Sequence, residues 1–346
     1  MVLKIAVMIP RMNTSRQLPA WQTALRQAVS SVEELLRLVG LEATGPDLFL
    51  DAREFPLRVP HSFIRRMETG NRNDPLLRQV LPAHEEWHEI SGFRQDPLGE
   101  REVMATPGLL HKYNGRALLT LTGACAVHCR YCFRRHFPYS EANPAGAHLD
   151  TALAYLERHE EITEVILSGG DPLALPDDRL GELARRLAAI PHVRTLRIHS
   201  RLPVVLPERI DDVLLAWLGN HPQRMVLVVH CNHPNEIDAE VTGGMHKLKQ
   251  SGVTLLNQAV LLKGINDDAA TLARLSEKLF EAGILPYYLH QLDRVQGSAH
   301  FEVNDSAACK LMDHLHATLP GYLIPRLARE TPGARGKHWL WPDRHG

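Results

Sequence analysis

Three of the five cysteines in this 346-residue chain fall in one run, Gly-Ala-Cys-Ala-Val-His-Cys-Arg-Tyr-Cys-Phe, at Cys125, Cys129 and Cys132. The C-x3-C-x2-C spacing brings three thiolates to one loop, one fewer than a closed site takes. Cubane iron–sulfur clusters are commonly held by four Cys, and structural zinc by four Cys or His. A three-thiolate site leaves one coordination position free for a small molecule. Other readings of the same residues stay open. Zinc could be held by the three Cys with His128, although His128 adjoins Cys129 and would have to turn back into the site. The thiols could also pack as small hydrophobes. A disulfide is disfavoured, because no secretory signal precedes an odd cluster of Cys. Cys231 and Cys309 stand alone and read as packing residues. His230 and His233 read as pocket-lining groups, since no further ligand completes a metal set beside them.

Two more stretches carry reactive groups. Ser168-Gly169-Gly170-Asp171-Pro172 is at face value a tight turn, but its glycines would also let backbone come close to a ligand. Lys337 follows Thr331-Pro332-Gly333-Ala334-Arg335-Gly336. A lysine near a terminus is ordinarily a solvated charge. On a Gly-rich loop turned toward a cavity, its amine can instead form a Schiff base with a carbonyl cofactor.

These groups need a scaffold, and the sequence supplies one. From residue 117 onward, short apolar runs recur at 117–122, 164–168, 195–200, 225–230, 254–260 and 286–292, each with the length and continuity of a buried parallel strand. Helix-like stretches lie between them at 150–159, 177–189, 208–219, 237–251 and 269–282, and 305–318 follows the sixth. Asp150, Asp177, Asp267 and Asn304 stand near their starts as candidate caps. Six βα units in series predict an α/β fold with a parallel sheet curled into a partial (βα)6 barrel. An open doubly wound sheet is the alternative that periodicity leaves standing. Either architecture collects reactive groups at the carboxyl ends of its strands, which is where the three-Cys loop, the Gly-Gly-Asp turn, Ser200-Arg201, the His230 segment and residues 290–293 fall. Residues 1–105 read as a mostly helical extension, with an amphipathic helix over 21–41 and a shorter one over 74–80. Residues 106–320 form the barrel, and 321–346 a C-terminal segment carrying Lys337.

A formal net charge of -1, with 44% apolar and 23% charged residues, is ordinary for a globular chain and gives no overall footprint for nucleic acid or an anionic membrane. The apolar stretch 3–9 is too short to span a bilayer and lacks a signal-peptide cleavage site, so a cytoplasmic location is expected.

Taken together, Cys-Arg-Tyr-Cys-Phe-Arg-Arg-His-Phe, Leu-Ser-Gly-Gly-Asp-Pro-Leu and Leu-Leu-Asn-Gln-Ala-Val-Leu-Leu resemble the lysine 2,3-aminomutases, a radical S-adenosylmethionine (SAM) family, and the resemblance runs over residues 55–338. Leu57-Arg58-Val59-Pro60 and the stretches 74–80 and 107–113 are similar to the bacterial subgroup that makes β-lysine for elongation factor P. The resemblance implies a [4Fe–4S] cluster on Cys125, Cys129 and Cys132, with SAM on the iron they leave free. It implies Gly169, Gly170 and Asp171 at the methionine end of SAM, Asp171 accepting from its ammonium, and Gln258 among the cofactor contacts. Pyridoxal 5′-phosphate (PLP) would sit on Lys337, the catalytic lysine, with Arg116, Lys112 and Tyr113 near the phosphate. Ala334 and Arg335 interrupt the glycine run that the family has before this lysine.

For the substrate, the resemblance implies that Arg134 takes the α-carboxylate through its guanidinium fork. Asp293 and Glu330 would take the distal ammonium, Glu330 standing where the family usually has Asp. The implied reaction converts L-lysine to (R)-β-lysine, started by an adenosyl radical from the reduced cluster. An electron donor such as flavodoxin and a functional link to the enzyme that lysylates elongation factor P follow as implied partners. No zinc-linked oligomer is expected, for want of the Cys-rich extension of clostridial relatives. Two rival functions remain: an aminomutase of another amino acid such as glutamate, which Asp293 and Glu330 would repel, and a non-catalytic metal-binding module, which metal analysis separates.

Overall fold

The computed structural model describes residues 18–43, 55–140 and 147–341; the apolar stretch 3–9 lies outside them. The sheet begins with two short strands, β1 (Met104–Thr106) and β2 (Leu109–Tyr113), which pair antiparallel with each other. β2 then pairs antiparallel with β3 (Arg116–Thr120). From β3 the ladder is parallel through β4 (Glu164–Ser168), β5 (Thr195–Ser200), β6 (Arg224–Val229), β7 (Thr254–Val260), β8 (Leu285–His290) and β9 (Arg326–Arg329). β10 (His338–Trp339) returns antiparallel on β9. Neighbours in the sheet are neighbours in the chain throughout. A doubly wound sheet reverses its strand order part way; this one does not, which settles the alternative in favour of the curled partial barrel.

The six expected strands are β3 to β8. β1, β2, β9 and β10 lie outside the expected runs: β1, β9 and β10 have four residues or fewer, β2 carries His111 and Lys112, and two arginines flank Leu327 and Ala328 in β9. Strand alternation then sorts the chemistry. Leu119, Val165 and Leu167, and Leu196 and Ile198 are buried on the outer face, while Leu118, Ile166, Ser168, Arg197 and His199 line a central cavity.

Helices cover the outer face. The short α1 (Ala20–Arg26), α2 (Val32–Leu38) and α3 (His61–Ile64) belong to the N-terminal extension, and α4 (Ala147–Arg158) is the first crossover helix. There follow α5 (Asp177–Ala188), the single turn α6 (Leu202–Val205), α7 (Asp212–Gly219), α8 (Ala239–Gln250), α9 (Ala269–Glu281) and α10 (Asp305–Thr318). Leu180, Leu183 and Leu187 of α5 and Leu272, Leu275 and Leu279 of α9 recur at helical spacing and are buried. Each such side chain contributes about 1.5–3 kcal/mol on burial. Asn304 caps α10 as expected, but α9 is capped by Asp268 rather than Asp267. Asp177 and Asp150 lie inside the first turns, where a carboxylate still favours the helix dipole.

The extension is less helical than its apolar spacing suggests. The helix expected over 21–41 is broken, because Val29 leaves it to bridge Val59 and Ser31 caps a new start by accepting from the Glu34 N–H. Near 74–80, Asp74 accepts from the Leu76 and Leu77 amides and only a 3-10 turn, Leu77–Gln79, forms. Trp21, Leu35, Val59, Phe63, Leu76 and Leu77 join the same core cluster as the strands, so the extension is part of the barrel's packing.

Candidate active site

The loop after β3 carries the three cysteines and has no regular structure of its own. Its backbone is tied instead to the extension, with His128 N–H donating to the Arg58 carbonyl (3.0 Å) and Arg130 N–H to that of Gln79 (2.9 Å). Between the second and third Cys, Arg130 forks onto the buried Glu86, which Arg135 also reaches at 2.8 Å. Burial alone would raise the Glu86 pKa, but the two guanidiniums override it and hold the carboxylate ionised. Arg201, after β5, donates to Cys129 Sγ at 2.7 Å and to Gln79 and Glu236 at 2.6 and 3.1 Å.

All three cysteines line one cavity of about 300 Å³ at the carboxyl ends of the strands. Among the described residues, no three His, Cys, Asp or Glu side chains stand as a ready single-ion site. A single zinc needs its ligands within about 2.3 Å of one point, whereas a cubane takes each thiolate on a different iron. His128, the fourth ligand a zinc reading would use, has Nδ1 on the Pro56 carbonyl at 2.7 Å and its ring stacked on Phe55. Burial pushes the Cys125 thiol well up and that of Cys132 up to about 11. Thiols this deep ionise against a strong local positive charge, which a cluster's irons supply. The donor set fits a cluster better than an ion.

The Gly-Gly-Asp turn behaves differently from expectation. Gly169 has φ +125°, and a Cβ on it would lie 2.6 Å from the Thr122 carbonyl oxygen; one on Gly170 would lie 2.6 Å from that of Ala124. Gly170 and Asp171 amides donate to those same two carbonyls. The glycines therefore let this turn pack against the Cys loop, and both still line the cavity. The Asp171 carboxylate accepts from the Leu173, Arg201 and Leu202 amides and the Ser200 hydroxyl, at 2.7–3.0 Å. About four acceptor positions are all a carboxylate has. It fixes the β5–α6 turn while also lining the cavity. Burial pushes it up to about 6, against those donors.

On the opposite wall, the register His338↔Arg329 sets Lys337 across from Glu330. Lys337 Nζ donates to Glu330 Oε2 at 2.5 Å, and Lys112 Nζ to Oε1 at 2.8 Å. Both Glu330 oxygens are thus taken by lysines, contrary to an open role beside Asp293. Burial would raise the Glu330 pKa, but the two ammoniums hold it far below the usual range. Asp293 lines the cavity with no side-chain hydrogen bond to any described residue. Burial, aided by the charge of Glu330, pushes it up to about 7. Arg116 lies 4.5 Å over the Tyr113 ring, and Lys337 Nζ 5.6 Å over Tyr288. Gln258 faces the cavity from β7, donating to His230 Nε2 at 2.7 Å. Burial keeps His199, His230 and His290 neutral, His230 down to about 3. His233 turns away to cap the Asn235 amide.

Arg134 is also already paired. Its fork carries Glu100, at 2.8 and 2.7 Å, and its remaining nitrogen reaches Ser168 Oγ and the Gly169 carbonyl. Glu100 lies in the extension after an Asp-Pro turn, and nothing in its spacing marks it. Neutralising it leaves a buried guanidinium uncompensated, at a cost of about 3–5 kcal/mol. Glu100→Gln is therefore expected to lower the urea midpoint. Excess lysine, by supplying a replacement carboxylate, should stabilise that variant more than the parent. Equal stabilisation of both would mean the substrate carboxylate does not reach Arg134.

Comparison with known proteins agrees with this geometry. The sequence model of the radical SAM superfamily matches residues 119–275, from the end of β3 into α9. The L-lysine 2,3-aminomutase of Escherichia coli (strain K12) is 51% identical over 321 residues, 92% of this chain and 93% of the relative. That of Haemophilus influenzae is 47% identical over 95% of this chain and 98% of its own length. The Clostridium subterminale enzyme of the same name is 33% identical over 93% of this chain and 78% of its length. With an unclosed barrel, a three-thiol loop facing its cavity and identity sustained over nearly the whole chain, the protein belongs to the radical SAM lysine 2,3-aminomutase family.

Proposed function

We propose that this chain is a PLP-dependent lysine 2,3-aminomutase that makes (R)-β-lysine for elongation factor P. The observation that carries the reading is one cavity lined both by Cys125, Cys129 and Cys132 and by Lys337, Lys112, Arg116 and Asp293. The residues suit PLP: an amine for its aldehyde, cations for its phosphate and two tyrosines beside them. Arg197 Nε and His199 Nε2, in the wall between, are buried without a hydrogen-bond partner, as expected of a site built for a polar ligand. When bound, the cluster with SAM supplies a hydrogen-abstracting radical, and PLP a π-system that spreads the unpaired electron.

The chain's own residues then hold, orient and exclude. Lys337 anchors PLP, with Arg116 and Lys112 toward the phosphate. Asp293 takes the distal ammonium of lysine, and Arg134 takes the α-carboxylate in exchange for Glu100. Holding both ends of the substrate would restrict how it lies in the cavity. Neutral His199, His230 and His290 furnish polar contact without acidic protons, and the barrel walls keep water from the radicals. A cluster held by the three thiols would need an external electron donor, for which a flavodoxin-type protein is the proposed partner. The stretches 57–60, 74–80 and 107–113, which resemble the subgroup that makes β-lysine for elongation factor P, support that role. No helix among the described residues is long and apolar enough to cross a membrane.

Anaerobic incubation with lysine, SAM, PLP and dithionite should yield β-lysine; failure to form it, or preference for glutamate, refutes the reading. The pH profile is a sharper check. An ammonium pairs with Asp293 only once the acid has ionised. For lysine, kcat/KM should rise about tenfold per unit below about pH 7 and then level off. Asp293→Asn should abolish that limb and raise KM by about tenfold or more, with iron content unchanged.

A further inference from the structure

We propose that Glu86 keeps the iron–sulfur cluster strongly reducing: it is a positioning residue that acts through Arg130 and Arg135 and offsets their charge beside the thiol loop. The inference rests on the cluster reading of Cys125, Cys129 and Cys132, and it concerns how readily that cluster takes an electron.

Three observations carry it. The first is that one buried carboxylate serves two guanidiniums. Glu86 Oε1 accepts from Arg130 Nε at 2.7 Å and from the Ala83 amide at 3.1 Å. Its Oε2 accepts from Arg130 and, at 2.8 Å, from Arg135. The three side chains are 3–7% exposed, so water screens their charges little. The second is place. Arg130 directly follows Cys129, and the Arg135 N–H donates to the Cys132 carbonyl at 3.2 Å. Both cations therefore belong to the part of the loop that bears two of the three thiols. The third is separation from ligand binding. Glu86, Arg130 and Arg135 do not line the cavity, whereas Glu100, Arg134 and Arg201 do. Arg130 also donates to the Phe55 carbonyl at 2.8 Å and Arg135 to that of Gly297 at 3.3 Å, with the Phe55 ring 5.0 and 4.9 Å from the two guanidiniums. Every partner in this network is a protein group. It persists whether or not substrate or cofactor is bound.

Charge decides the consequence. A cluster that takes one electron from an external donor gains one negative charge, and its potential follows the net charge around it. Cations beside the loop favour the reduced form and raise the potential; an acid among them lowers it. With Glu86 the two arginines leave a net single positive charge, and without it they leave two. The pattern recurs around the loop, with Arg134 on Glu100 at 2.7 Å and Arg201 on Glu236 at 3.1 Å. A cluster that must push an electron into the C–S bond of a sulfonium gains driving force from a low potential.

The test compares the parent chain with Glu86→Gln, Arg135→Gln and the double variant, each reconstituted anaerobically and studied without SAM. Midpoints are read by dye-mediated potentiometry, following the paramagnetic resonance signal of the reduced cluster, and iron and sulfide are counted. Glu86→Gln should raise the midpoint by about 59 mV, a tenfold shift of a one-electron equilibrium, as suits one unit charge lost from poorly screened surroundings. Arg135→Gln should lower it by a similar amount, and the double variant should return close to the parent. A loosened loop would move both single variants the same way, so opposite signs separate charge from mere structure. If Glu86→Gln does not hold iron, the double variant must still lie above Arg135→Gln by the same step. Unchanged midpoints, shifts of one sign in both single variants, or a double variant level with Arg135→Gln overturn the proposal. A parent protein with no cluster signal on reduction overturns the cluster reading instead, which tells the two failures apart.

Discussion

Anaerobically reconstituted parent protein should carry about four irons per chain, and Cys125→Ala, Cys129→Ala or Cys132→Ala should each lose them together with SAM cleavage. The effect is all-or-none because each thiol holds a separate corner of the cluster and no spare donor lies at hand. Cys231 is fully buried and its thiol donates to the His233 carbonyl. Cys309 sits on α10, on the outer layer. Cys309→Ala should therefore keep its iron and serve as the control for handling damage. Chemical analysis of iron and acid-labile sulfide, with 5′-deoxyadenosine release from SAM, reads the result. Retention of one zinc per chain with no sulfide would return the site to the single-ion reading.

Lys337→Ala is expected to abolish covalent PLP and to lower turnover on the order of 10³-fold or more, since holding a reactant in place is worth effective molarities of about 10⁵ M and above. Iron content and uncoupled SAM cleavage should persist, because the thiol loop hangs from the extension and β3 while Lys337 belongs to the far hairpin. Borohydride should trap PLP on Lys337 in the parent and nowhere in the variant. A variant that keeps turnover, or an adduct found on Lys112, would move the cofactor's attachment point.

What could be read from the residues was whatever is encoded locally. A C-x3-C-x2-C run is visible as spacing, and β4, β5 and β7 were bounded to the residue because each is a short apolar run between polar turns. Gln258 faces the cavity because alternation along β7 puts it there, with Asn257 turned outward onto the Cys231 backbone. Tertiary pairing was not encoded that way. Glu86, Glu100 and Gln79 lie in the extension, and their partners Arg130, Arg134 and Arg201 come from the Cys loop and the turn after β5. No periodicity links such residues across the chain. The same limit hides the partners of the expected ligands: Asp171, Arg134 and Glu330 are hydrogen-bonded within the chain, an arrangement set by neighbours and not by spacing. The family's Asp-to-Glu change at 330 was visible, but its consequence needed the β9–β10 register to be known.

Because every strand pairs only with its sequence neighbours, the order of assembly can follow the order of synthesis. The thiol loop and the extension that braces it leave the ribosome early, whereas the hairpin bearing Lys337 is the last piece of the sheet to be made. Strands added in succession need little loop closure, so the early part can gain order before the late part exists. Maturation then has a direction. The iron-binding end can be finished and loaded while the PLP end is still being translated, and proteolytic loss of the final hairpin should leave a brown, iron-loaded protein that no longer binds PLP.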